Sequence, residues 1–412
     1  MASKPSPAKI IEFKISAPSI MSLLGERLDD SPVISAALNL RTTMKFEELP
    51  LSANVITIQY LKVGLKHDLP LPEFVKFYNT CTENMDLLNE RVVEFLNSTY
   101  KFPNCRRLIH TLYYLLVSIL HKESFELKSF ALHLFSEIEI DDGLPCPASS
   151  TVCIAACLMH WSQLQKGPHD TFDDDDLEVI DTYAKCYGTI YPELDEINVT
   201  ASVFGLIRKF IINETGSSLI STIEVQDLPT ITILLVNSKK TQSIENLKEI
   251  KVLQIEDQKE QIKILKNSVP DVFESIWENI EKVSLNAYDL LFNLARIHGN
   301  SEETFQTRYL TTLNLYTELK TFISINQSFL QALRLTNADM DEICLIARKH
   351  EMAGKHTDIC GGRYVFILCP LTILDSSTKR IERLMINLHE RGFTVKKTNL
   401  AQKGVTIEPE EY

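Results

Sequence analysis

A chain of 412 residues with 44% hydrophobic content is long enough to bury a sizeable core and to divide into two or three domains or lobes. Its net charge of -13, with lysines and arginines scattered along the chain, lacks the basic footprint a phosphate backbone requires, so nucleic acid is not an expected partner. No apolar run reaches the roughly 20 residues of a membrane span, and MASKPSPAKIIEFKIS at the start has no apolar core of signal-peptide length, so the expectation is a cytoplasmic protein without membrane contact.

Strand patterns come first along the chain. IIEFKIS, VISAALNLRTTMKFEEL and NVITIQYLKV, within residues 10–63, are rich in β-branched residues and separated by turn signals. Residues 74–97 and 105–122 then place apolar side chains three and four apart, which predicts helix, and FELKSFALHLFSEIEI returns to shorter alternation. A helix is expected from about Ser149 to Gln165 and another over DLEVIDTYAKCYGTIY, followed by strands in LISTIEV and TITILLVNS. Beyond residue 224 the pattern is mostly helical (272–297, 308–333, 338–352), and the end reads strand, helix, strand in YVFILCP, STKRIERLMINLHERG and TVKKTN. The expected fold class is α+β in two lobes.

Several features resolve without invoking a site. Nine cysteines form no C-x-x-C pair, and their odd count suits reduced thiols better than a disulfide framework; no metal site is expected. Four acids from Asp173 to Asp176 cannot converge on one ion from consecutive helical positions, so they read as a solvated helix start favoured by the dipole. Sequons at Asn97, Asn198, Asn213 and Asn326 read as chance, and His110 and His133, within amphipathic runs, read as core or rim residues.

The stretch DDGLPCPASST, residues 141–151, is harder. A turn of small residues between a strand-like and a helix-like run suits a phosphate cradle, where backbone N–H groups at a helix N-terminus meet an anion. Pro145 and Pro147 have no N–H, however, and cannot take the positive φ that glycine allows. Both readings stay open: a degenerate phosphate loop using Gly143, Ser149 and Ser150, or a proline-fixed helix start capped by Ser149 or Ser150.

The run SAPSIMSLLGERLDDSPVISAALNLRTT from Ser16 resembles the opening of mevalonate kinases in the GHMP kinase superfamily, S-A-P-G-K-V-I-L-x-G-E-H followed by a strand ending L-x-L-R-T. Further on, INQSFLQAL and MDEICLIARKHEMAGKHTDICGGRYVFIL are similar to that family's I-N-Q-x-x-L-x-x-L helix and its S-K-L-T-G-A-G-G-G-G loop, and RGFTVKKTNLAQKGVTI to its last strand pair. The resemblance runs in order from residue 13 to 407. It implies a GHMP kinase fold with an N-terminal lobe over 1–223, a C-terminal lobe over 224–412 and the active-site cleft between them. It also implies a transferase of isoprenoid biosynthesis that phosphorylates mevalonate to 5-phosphomevalonate with ATP and Mg²⁺, and a homodimer or a heterodimer with an active paralogue.

Matched residue by residue, the motifs depart from that chemistry. Ser19 and Ile20 stand where the family has glycine and its lysine, and Asn198 stands where it has the aspartate base, with Asp195 and Glu196 as neighbouring carboxylates. An isoleucine carries no charge and an amide is a very poor proton acceptor, so loss of the base alone is expected to cost about 10² to 10⁴ in rate. The metal-binding glutamate would fall near Tyr187. In the third motif Lys355, Thr357, Gly361 and Gly362 survive, while Asp358 and Arg363 replace glycines. Glu26 survives at the mevalonate end and Arg27 replaces a histidine there. The expectation is a mevalonate kinase-like protein with impaired or lost catalysis, using ATP and Mg²⁺ only if active; the alternative is a pseudoenzyme that binds a ligand or a partner.

Overall fold

The computed structural model describes residues 10–26, 32–100, 105–123, 125–140, 144–185, 188, 196–213, 216–223, 228–238, 260–299, 305–359, 362–371 and 375–409. Two compact units interleave along the chain: the first takes residues 1–19, 40–204 and 403–412, the second 20–39 and 205–402. Two long strands, β1 (Glu12–Leu24) and β2 (Val33–Glu48), contribute residues to both.

In the first unit β1 and β2 join β3 (Val55–Tyr60), β4 (Leu65–Pro70), β5 (Phe130–Ser136) and β14 (Thr406–Glu408) in the order β14-β1-β2-β5-β3-β4. The β14–β1, β2–β5 and β3–β4 pairs are antiparallel and the β3–β5 pair is parallel. The helices are α1 (Leu71–Thr82), α2 (Leu88–Thr99), α3 (Arg106–Glu123), α4 (Pro147–Lys166), α5 (Asp174–Ala184) and α6 (Glu196–Phe204). Helix α4 is buried without a break from Ala148 to Ser162, as its all-round small and apolar sequence requires. It packs against α3, α5 and α6, and Trp161 anchors it by lying tilted against the Phe46 and Phe130 rings and donating Nε1–H to Glu48 Oε1 at 2.8 Å. A two-residue hairpin, β6 (Glu139–Ile140) and β7 (Leu144–Pro145), precedes α4.

In the second unit residues 33–36 of β2 pair with β8 (Ile207–Asn213), which pairs with β9 (Gly216–Ile223). An antiparallel sheet of β10 (Thr232–Asn237), β11 (Ala353–Ile359), β12 (Gly362–Leu368) and β13 (Thr394–Asn399) runs β11-β12-β10-β13. Helices α9 (Ala338–Lys349) and α10 (Asp375–Glu390) cover it through Ile343, Ala347, Leu384 and Leu388. Long helices α7 (Pro270–Gly299) and α8 (Phe305–Ala332) pair through Phe273, Trp277, Ile280, Leu330 and Leu333.

Most expected elements form, with instructive exceptions. The helical run over 74–97 is two helices, because Asn84 caps a 3₁₀ turn (Met85–Leu87) with its own side chain and restarts the chain there. The helix over 338–352 stops at Lys349, and the glycine-motif segment after it is β11, an edge strand. Cys146 is disulfide-bonded, against the reduced-thiol expectation, whereas Cys81, Cys105, Cys153, Cys157, Cys344 and Cys369 are free and buried. Residue counting could not exclude one bridge. The acids at 173–176 do open a helix, as a capping box between Asp173 and Asp176. Among the described residues no helix is long and apolar enough to cross a membrane.

The C-terminal segment is held by Arg41 on β2. Its guanidinium donates to Ser16 Oγ (2.6 Å), Ser16 O (2.9 Å), Lys403 O (3.0 Å), Gly404 O (2.7 Å) and Thr406 Oγ1 (3.2 Å). Gly404 lies so close to α6 that a Cβ there would sit 1.9 Å from Val203 O, and the next N–H, of Val405, donates to that carbonyl. Replacing Arg41 by Met leaves two side-chain hydroxyls and three carbonyls short of a donor. We expect Arg41→Met to lower the unfolding free energy by about 3 kcal/mol or more in urea titrations; a loss under about 1 kcal/mol would contradict this clamp.

A second tie closes the α4–α5 connection: His160 Nδ1 and His169 Nδ1 are 2.9 Å apart, and His169 Nε2 meets Asp176 Oδ2 at 2.9 Å. One proton serves the Nδ1 pair; two would oppose each other. Burial first, then His169, push the His160 pKa down to about 4, with Asp170 and Asp176 acting the other way. Because the folded value lies below the unfolded one of about 6.5, the unfolded chain takes up the proton first. Stability is therefore full above pH about 6.5 and falls as pH drops towards about 4. Urea midpoints should fall over that window, and His160→Gln should flatten the slope; an unchanged slope would remove His160 from the account.

Candidate functional site

In the first unit the start of α4 is set by proline. Cys146 is the N-cap, with no side-chain cap hydrogen bond, and Pro147 is the first helical residue. Ser149 and Ser150 sit inside the first turn, so neither caps the helix as expected. Ser149 is 0% exposed; its Oγ lies 2.7 Å from Thr42 Oγ1 and donates to Cys146 O. Ser150 donates its hydroxyl back to Pro147 O at 3.0 Å. Both hydroxyls are engaged by the protein itself. Gly143 lies outside the described residues.

Asn198 is on α6, 1% exposed, and Glu196 at the helix start is exposed. One turn after Asn198, Ser202 donates to Pro18 O at 2.8 Å, so the face of α6 that carries Asn198 looks onto β1 at Pro18. Ser19, next on β1, is 0% exposed and its hydroxyl has no hydrogen-bond partner among the described residues. A different face of α6 is tied to α5, where Thr200 donates to Asp181 Oδ1 (2.9 Å) and Lys185 pairs with Asp181 Oδ2 (2.7 Å). Tyr187 and Asp195 lie outside the described residues.

The second unit holds the other expected positions. Ile20 is 0% exposed within β1. Gly25 ends that strand with φ +80°, and a Cβ there would fall 2.1 Å from Pro32 O, so only glycine fits. Glu26 follows, and its Oε1 accepts from Lys355 Nζ at 2.9 Å; Lys355, 1% exposed, also donates to His356 O. Thr357 donates to Ser22 O at 2.6 Å. Gly362 pairs with Ile359 across the β11–β12 hairpin. Arg27 and Gly361 lie outside the described residues.

Residues expected to cradle phosphate, Thr357 and Gly362, thus belong to an antiparallel hairpin whose outer edge is covered by α8. Gln327 on that helix accepts the His356 N–H at 2.8 Å, replacing a missing neighbour strand. The I-N-Q run carries a role for its glutamine that the resemblance does not assign. The signal was present: two amides at an apolar helical face.

Among the described residues no three His, Cys, Asp or Glu side chains are placed to hold a metal ion.

No family model matches the chain. It is 23% identical over 422 residues to the mevalonate kinase of Candida albicans, covering 96% of this chain and 90% of that one. With the mevalonate kinase of Homo sapiens it shares 23% over 413 residues, covering 95% and 94%. The crystal structure of the Methanococcus jannaschii mevalonate kinase superposes with a TM-score of 0.61 at 16% identity, covering 97% of this chain and 100% of that one. The strand and helix order above and these full-length similarities agree: the chain is mevalonate kinase-like and has the GHMP kinase fold.

Proposed function

We propose that this mevalonate kinase-like protein has impaired or lost the ATP-dependent phosphorylation of mevalonate to 5-phosphomevalonate. One observation carries the reading: Ile20 and Asn198, at the positions the resemblance assigns to the lysine and the aspartate, are neutral and 0% and 1% exposed. A phosphoryl transfer runs on fixed charges around the transferring group and on a base for the hydroxyl. Here neither position carries a charge. The engaged hydroxyls of Ser149 and Ser150 and the missing N–H of Pro147 support weak nucleotide binding. Glu196, exposed at the start of α6, is two residues from the base position, too far along a helix to share its direction.

A ligand- or partner-binding role without turnover follows from the same loss. A homodimer or a heterodimer with an active paralogue, in the cytoplasm, belongs to this proposal.

A coupled assay with Mg²⁺-ATP and mevalonate tests it. We expect turnover far under the ordinary kinase range of about 1 to 100 per second; a rate within that range would refute the reading. Asn198→Asp alone should stay near background, because groups that act as a unit are grossly non-additive. Only joint restoration of Ser19→Gly, Ile20→Lys, Asn198→Asp, the 143–149 glycine pattern and Asp358→Gly should raise it. Ile20→Lys also reports on the environment. An ammonium placed in that fully buried position should cost about 3 kcal/mol or more in denaturant titrations, and a neutral effect would mean that position 20 already accommodates charge.

A further inference from the structure

A cleft in the second unit lies outside every position the resemblance picks out. It has a volume of about 310 Å³ and is lined by Lys266, Pro270, Phe273, Glu274, Trp277 and Glu278. Residues 260–268 are helical and lead into α7 through a bend at Val269. Pro270 is the first residue of α7; it disfavours helical geometry in the residue before it and suits the start of a helix itself. The bend brings Lys266 against the opening turns of α7.

Phe273 and Trp277 are four residues apart on α7, as are Glu274 and Glu278, so an aromatic row and an acidic row run side by side. The two rings stack at 5.6 Å between centroids and 12° between planes. They are 2% and 8% exposed and belong to one apolar cluster with Ile280, Leu330 and Leu333, which fixes their position. The two acids are exposed at the rim. Lys266 Nζ lies over the Phe273 ring, 5.4 Å from its centroid, within the distance at which a ring face attracts a cation. Rings and carboxylates thus select positive charge, and the cation that answers them belongs to an exposed, flexible side chain. Glu278 also meets Lys282 at 3.3 Å, but with those side chains 67% and 65% exposed the pair holds neither firmly. A concave site with an aromatic floor and a few convergent charges is the usual form of a small-molecule site.

We infer that this cleft binds a small organic cation, an alkylammonium or methylated ammonium group, in the place taken by the Lys266 ammonium. The cation rests against the Phe273–Trp277 pair, Glu274 and Glu278 neutralise it from the rim, and Lys266 turns to water. The same rings and acids oppose an anion. This inference is independent of the proposed loss of phosphoryl transfer.

Titration of the full chain with choline at constant ionic strength, followed by tryptophan fluorescence and by calorimetry, tests it. The chain has two tryptophans, and Trp161 is 0% exposed in the first unit, so a ligand-dependent change in emission reports Trp277. Saturable binding with a Kd of about 1 mM is expected, and the uncharged carbon isostere of choline should bind about tenfold more weakly or worse. Lys266→Met should tighten choline binding about threefold by removing the competing ammonium, and Glu274→Gln should weaken it by about the same factor. Both side chains are exposed, so the variants should fold, which thermal melts confirm. No saturation in either readout by about 10 mM choline, equal binding of the isostere, or binding that both substitutions leave unchanged would overturn the inference.

Discussion

A charge taken out of water must be answered by a partner, and this constraint orders the interior of the chain. Arg41 is matched by carbonyls and hydroxyls from both ends of the first unit, and Lys355 by Glu26 and a strand carbonyl. Burial lowers the Arg41 guanidinium from its ordinary value, and contacts with Glu408 and Glu137 act against that shift. At Ile20 and Asn198, equally buried, the chain places neutral side chains.

Preservation of the framework follows from different residues. Helix α4 needs only small and apolar side chains to fill its position against α3, α5 and α6, and Pro147 starts it as well as glycines would. Gly25 and Gly404 are held by sterics: each faces a carbonyl at a distance no Cβ survives. Such constraints act on folding whether or not phosphate is bound. Strand order and helix packing can therefore persist while other positions change, which fits full-length similarity at 23% identity.

Much of this architecture is readable in the sequence because its signal is periodic. Helices α3, α7 and α8 announce themselves through apolar residues three and four apart, and β10 and β12 through short apolar runs. Strand β11 is not readable that way. Its residues Lys355, His356 and Thr357 look like loop, and become strand by pairing with β12, while Glu26, Gln327 and Ser22 supply further partners from distant segments. The same holds at the site. A departure at positions 20 and 198 is an expectation that the resemblance alone raises, whereas the engagement of Ser149 with Thr42 needs coordinates, since those residues are more than a hundred positions apart.

Loss of chemistry can be separated from slow product release by one measurement. In a single-turnover experiment with the protein in excess over radiolabelled ATP, with Mg²⁺ and saturating mevalonate, release no longer limits what is seen. The account predicts no 5-phosphomevalonate above the uncatalysed background, because under the proposed reading Ile20 and Asn198 supply neither the charge nor the base. Stoichiometric conversion of the label in the first turnover would contradict it.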